Sequence, residues 1–84
     1  MAKDLNYIIH KEIETLGMNT QYAQQLSILS WNGYPPKYDI RRWKIDEDGD
    51  LTPAKGIALN ADEMQKLKEA LNAIDDFEAY IHED

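Results

Sequence analysis

The chain has 84 residues, nine Lys or Arg against sixteen Asp or Glu, a formal net charge of −7, two histidines and no cysteine. One domain spanning 1–84 is all this length allows, and its core is small enough that a second subunit is the expected extra support. Disulfides and thiolate zinc sites are excluded, as is any membrane span of roughly 18 apolar residues or any charged-then-apolar leader; a soluble protein is expected, cytoplasmic, nucleoid-associated or, if viral, in the host cytoplasm.

Residues 5–16, LNYIIHKEIETL, are rich in β-branched side chains. Leu5, Tyr7, Ile9 and Ile13 share one parity with Lys11 interrupting, which favours a strand over a helix. GMNT then reads as a turn. Residues 22–31 put Tyr22, Leu26 and Ile28 on one face and Gln25, Ser27, Leu29 and Trp31 on the other, a second strand. NGYPP breaks it. Residues 37–45, KYDIRRWKI, alternate again as a third strand. DEDGDLTPA is a polar loop and KGIAL a short fourth strand.

The last third changes character. Met64, Leu67, Leu71, Ile74 and Ile81 recur at helical steps with Phe77 beside them, one apolar stripe on a long helix. Asn60 and Glu63 have the spacing of a capping box, and Asp62 and Glu63 suit the positive end of the helix dipole. The expected fold is α+β: four antiparallel strands, then one long helix. A single helix covers one sheet face, so the stripe Met64, Leu67, Leu71, Ile74, Phe77 and Ile81 is expected to form core or a two-fold dimer interface.

Charge is uneven: residues 1–45 carry a net +2 and residues 46–84 a net −9. The basic part centres on PKYDIRRWK. On a strand, Asp39, Arg41 and Trp43 share one face, while Tyr38, Ile40, Arg42 and Lys44 share the other. Arg on a dry face without a partner would cost several kcal/mol, so that whole face is not expected to pack into a dry core. Two readings remain open. Trp43 covers a sheet edge while the arginines pair with acids, or the strand meets single-stranded nucleic acid, with bases on aromatic faces and phosphates on cations. In the second reading Trp31 and Tyr34 add platforms, and Lys37 and Lys55 add charge. A duplex-reading helix is not expected, because the only convincing helix is acidic.

Other features read blandly. Asp46, Asp48 and Asp50 take the first, third and fifth places of an EF-hand loop. However, glycine stands at the fourth place rather than the sixth, and Ile57 stands where the bidentate Glu belongs. A solvated loop is expected, with no metal. Tyr22 reads as core, His10 as a sheet-face residue and His82 as part of a fraying end. No Gly-rich phosphate loop, nucleophile elbow or metal-ligand cluster is present, so no enzyme, cofactor or small-molecule substrate is expected.

PKYDIRRW followed by DEDGDLTPAKGIALNADEMQKLKEAL resembles the core of the positive-cofactor-four family of transcriptional coactivators. SWN before PKYDIR brings it closer to the bacterial branch. The resemblance covers residues ~22 to 82. It implies a four-stranded, strongly curved antiparallel sheet, a long kinked helix and a homodimer that binds single-stranded DNA across its sheet faces with little regard to sequence. Carried over by position, Arg41 is a phosphate contact, Trp43 a stacking platform, Trp31 a neighbouring aromatic and Lys55 part of the basic run before Gly56. The expected interface is thus Trp31, Tyr34, Lys37, Arg41, Arg42, Trp43, Lys44 and Lys55. The expected partners are single-stranded DNA, a second copy of the chain and proteins of transcription or replication; the process served is transcription, replication or recombination. The alternative is a protein-interaction module of that machinery with incidental DNA contact.

Overall fold

Period-two patterning in the first 59 residues and a capped 3.6-period stripe after them yield a meander and then a helix. The computed structural model describes residues 6–80. Strands β1 (Tyr7–Met18), β2 (Tyr22–Trp31), β3 (Lys37–Ile45) and β4 (Leu51–Leu59) form one antiparallel sheet in chain order, followed by helix α1 (Ala61–Asn72) and a 3-10 turn at Phe77–Tyr80. No helix among the described residues is long and apolar enough to cross a membrane.

Each turn is fixed by a short polar side chain. Asn19 Oδ1 accepts the N–H groups of Gln21 and Tyr22, each at 2.8 Å. Asn32 and Gly33 both sit at positive φ, 51° and 81°, which is why Asn-Gly stands there. Asp46 Oδ1 accepts from the N–H groups of Asp48 and Asp50 at 2.9 Å each, which closes the β3–β4 turn; the exposed carboxylates of Asp46, Asp48 and Asp50 gather there within 4.8 Å of one another. Turn residues are fewer than expected. Gly17 and Met18 belong to β1, and β4 begins at Leu51 rather than at Lys55. Pro53 is tolerated in β4 because this is an edge strand, one side of which pairs with no other strand of the sheet.

The sheet curls. Trp31 stands eight residues along β2 from Ala23, the partner of Trp43, a separation of about 26 Å in a flat sheet. Yet the Tyr7 ring lies 5.3 Å from Trp31 and 5.6 Å from Trp43, centroid to centroid. The cause lies in β1. Its twelve residues span nine of β2, because the register slips by one residue between Ile9 and Lys11, between Glu12 and Glu14 and between Thr15 and Gly17. Each slip adds length and twist to the outer track. These bulges also break the alternation read for residues 5–16: Ile8, Leu16 and Met18 end up exposed.

Curling buries one sheet face against itself. Ala23, Gln25, Ser27 and Leu29 of β2 and Asp39 and Trp43 of β3 are buried on this face; Ser30, on the other parity, is buried too. Gly56 shows how close the strands run here, since a Cβ on it would lie 2.6 Å from the Cβ of Arg41. The other face carries α1.

The capping box forms as read, with Asn60 Oδ1 accepting from Glu63 N–H and Glu63 Oε1 from Asn60 N–H. The helix itself is shorter than its apolar stripe. It ends at Asn72, where Ala73 N–H is shared between the carbonyls of Glu69 and Ala70. Asp75 and Asp76 follow, the wrong sign for a C-terminus, and Asp76 Oδ1 accepts from Glu78 N–H to open the 3-10 turn. No residue of α1 is buried in the single chain. Met64, Leu67 and Ile74 are half-buried, and Leu71 and Phe77 are exposed; Ile81 and His82 lie outside the described residues. The radius of gyration is 15.0 Å, against about 12 Å for a compact chain of this length.

Gly56→Ala should lower stability by ~1–3 kcal/mol, because the strand pair must part to admit the methyl group. Urea unfolding followed by tryptophan fluorescence measures this; an unchanged midpoint would show that the approach of β3 and β4 is not a constraint.

Candidate nucleic-acid interface

Strand β3 sends its charges to two sides, and the structure treats the sides differently. On the curled side, Arg41 is braced through all three of its nitrogens. Its Nε donates to Asp39 Oδ1 and its Nη2 to Asp39 Oδ2, both at 2.8 Å, while Nη1 donates to the Ala54 carbonyl at 2.8 Å. The guanidinium also lies 4.8 Å from the centroid of Trp31. The Asp39 side chain is 1% exposed and that of Arg41 14%. A two-residue step on a strand puts both on one face, and the planar fork matches the carboxylate edge. The face does pack inward, which an unpaired arginine would forbid, because Asp39 supplies the acid partner. Trp43, expected as a stacking platform, is 1% exposed and packs under Tyr7. No face of that ring is open to a base in this arrangement.

The opposite side is open. Register places Tyr22 across from Lys44 and Gln24 across from Arg42. Arg42 reaches over the Tyr22 ring, its guanidinium carbon 4.9 Å from the centroid. These residues wall a groove of about 540 Å³ lined by Tyr22, Gln24, Ile40, Arg41, Arg42, Ala54 and Lys55. No acidic side chain lines it. Arg42, Lys44 and Lys55 are exposed and form no salt bridge among the described residues. Chemically, this is a cationic cleft with an aromatic floor that is part-covered by the Arg42 guanidinium.

The eight expected residues therefore fall into three groups. Arg42 and Lys55 line the groove, and Lys44 stands beside it in register with Tyr22. Trp43 is held inside the curl, and Arg41, paired there with Asp39, still reaches the groove's edge. Trp31, Tyr34 and Lys37 gather at the β2–β3 turn, with Trp31 half-buried under Arg41 and Tyr34 70% exposed. Tyr22, read as core, and Gln24 were not among the expected residues. The signal that could have found them is parity: both share the face of Arg42 once β2 and β3 are paired as a hairpin.

A second groove, also of about 540 Å³, runs between α1 and the open sheet face. Its lining includes Ile13, Leu26, Tyr38, Met64, Leu67 and Leu71, so it is chiefly apolar.

Residues 19–70 match the family model of Transcriptional Coactivator p15 (PC4). An uncharacterized protein of Treponema pallidum (strain Nichols) is similar to this chain, 33% identical over 72 residues, which is 84% of this chain and 81% of that protein.

Arg41→Ala strands the Asp39 carboxylate in the interior and should cost ~3–5 kcal/mol of stability. Arg42→Ala removes only an exposed cation–π contact and should cost about 1 kcal/mol or less. Paired urea titrations compare the two; equal losses would contradict the division drawn here.

Proposed function

Because the chain belongs to the Transcriptional Coactivator p15 (PC4) family, we propose that it binds single-stranded DNA as a homodimer with little regard to sequence. That family is one of non-enzymatic, DNA-binding coactivators. The observation that carries the reading is the open groove with Tyr22 as floor and Arg42 and Lys55 as walls. Bases stacked on an aromatic face contribute ~1–3 kcal/mol each whatever their identity, and cations along the path neutralise phosphates. Lys44, opposite Tyr22, extends the positive track. Trp31, Tyr34 and Lys37 offer a further aromatic and cationic stretch at the β2–β3 turn. Arg41 acts here as a brace rather than as a phosphate contact. The family's description as a coactivator favours transcription among the processes such binding serves.

The dimer is supported by exposed surface. Accessible area is 7061 Å², against about 5,100 Å² for a compact monomer of this mass. The apolar groove beneath α1 and the exposed Leu71 and Phe77 are the natural places for a second copy, which would complete the core that one chain leaves open.

Two measurements test this. Fluorescence anisotropy of a labelled ~20-nucleotide oligo-thymidine over a salt series should give single-strand binding with a log–log slope of about −0.7 per phosphate neutralised. Arg42→Ala and Lys55→Ala should each reduce that slope by about 0.7, while Tyr22→Leu should cost ~1–3 kcal/mol at nearly constant slope. Absence of binding at low salt would turn the reading toward a protein-interaction module. Sedimentation equilibrium should give a dimer in wild type and a weakened one in Leu67→Glu; a wild-type monomer at micromolar concentration would refute the assembly.

A further inference from the structure

Gln24 stands at a junction. The groove of Tyr22, Arg42 and Lys55 continues into a second, smaller cleft at the β1–β2 turn, lined by Gly17, Met18, Asn19, Gln21, Tyr22, Gln24 and Arg42. The two share Tyr22, Gln24 and Arg42. Across β1, the partner of Gln24 is Gly17, and a Cβ placed there would meet nothing within 4 Å. One flank of Gln24 is therefore left without a neighbouring side chain. Gln24 is exposed, and its side-chain amide forms no hydrogen bond among the described residues. Gln25 differs on each count: it points to the curled side, is 6% exposed and donates to Thr15 Oγ1.

An exposed amide beside a stacking ring has a specific chemical use. It presents one donor and one acceptor side by side. Every base carries a complementary adjacent pair on its Watson–Crick edge: N6–H and N1 in adenine, N4–H and N3 in cytosine, N3–H and O4 in thymine, N1–H and O6 in guanine. A half-turn of the amide suits either order. Such a contact is indifferent to which base is bound, but it needs the Watson–Crick edge to be free. In a duplex that edge is occupied.

We infer that Gln24 is the residue that makes this groove select single strands over duplex, by pairing with the Watson–Crick edge of a base stacked at Tyr22. The inference rests on the single-strand reading given above and adds a division of labour to it. Arg42, Lys44 and Lys55 attract any polyanion, Tyr22 holds any flat ring, and Gln24 responds to whether the base is paired.

The test uses the full chain, with oligo-thymidine, the matching duplex and an oligo-thymidine whose thymines are methylated at N3. Gln24→Leu keeps the side-chain bulk and removes the amide; the site is exposed, so the fold should survive, as a thermal melt would verify. The expected result is a ~5- to 20-fold loss of single-strand affinity with the salt slope and the duplex affinity unchanged. Methylation at N3 should weaken wild-type binding by a similar factor and leave Gln24→Leu indifferent. Gly17→Val, which fills the open flank, should act like Gln24→Leu. If wild type prefers the single strand but Gln24→Leu keeps that preference, or binds the methylated and unmodified strands with the same ratio as wild type, Gln24 has no such role while the single-strand reading stands. If wild type binds neither strand form, both fall together.

Discussion

The fork between Arg41 and Asp39 decides what the rest of β3 can do. It neutralises a guanidinium inside the curl, ties β3 to β4 through the Ala54 carbonyl and gives Trp31 a cation to lie against. With Arg41 paired to Asp39, the exposed cations of β3 without a salt bridge among the described residues are Lys37, Arg42 and Lys44, with Lys55 beside them on β4. Two adjacent arginines thus do different jobs, because a strand sends neighbouring side chains to opposite faces. A cluster that looks like one basic patch in the sequence is a brace on one side and a groove on the other.

The same constraint accounts for the unusual core. A sheet that buries one face by curling needs a longer outer strand, and β1 supplies it through three register slips. Curling also brings polar groups inside. Gln25 Oε1, Ser27 Oγ and Trp43 Nε1 are buried without a partner among the described residues. Each such group costs ~1–3 kcal/mol, so this interior is a weaker source of stability than an apolar one of the same size. Such a core lies under a helix with no buried residue, and the apolar surface around Met64, Leu67 and Leu71 stays open in the single chain, which is the surface the proposed dimer would use.

Much of this was legible in the residues. Asn19, Asn32-Gly33 and Asp46 announced their turns, alternation gave β2 and β3 their faces, and Asn60 with Glu63 gave the start of α1. The failures have physical causes. Bulges are set by pairing with β2, so nothing local in residues 5–16 reveals them. Leu51–Ala54 read as loop because Pro53 is barred from interior strands, and only the edge position of β4 lifts the bar. The apolar stripe ran past Asn72 because periodicity records where a helix would be amphipathic, whereas Asp75 and Asp76 decide where it stops. Asp39 was visible two residues from Arg41, but recognising it as the partner required asking which acid could follow the arginine into the interior. Tyr22 was read from its aromatic character as core; its role depends on the Arg42 that hairpin pairing sets on its face.

The net charge of −7 then ceases to be a paradox. Acids concentrate in the β3–β4 turn, in α1 and after it, and none lines the groove. Screening in physiological salt acts over about 8 Å, so a polyanion in the groove responds chiefly to the charges that wall it and only weakly to the sum over the molecule. The acidic remainder still matters at longer range. It slows approach from most directions, which leaves the cationic groove as the favoured route of entry, and it keeps free copies apart except where apolar surfaces match. On the function proposed above, a small domain is in this way repelled by nucleic acid over most of its surface and binds it at one place.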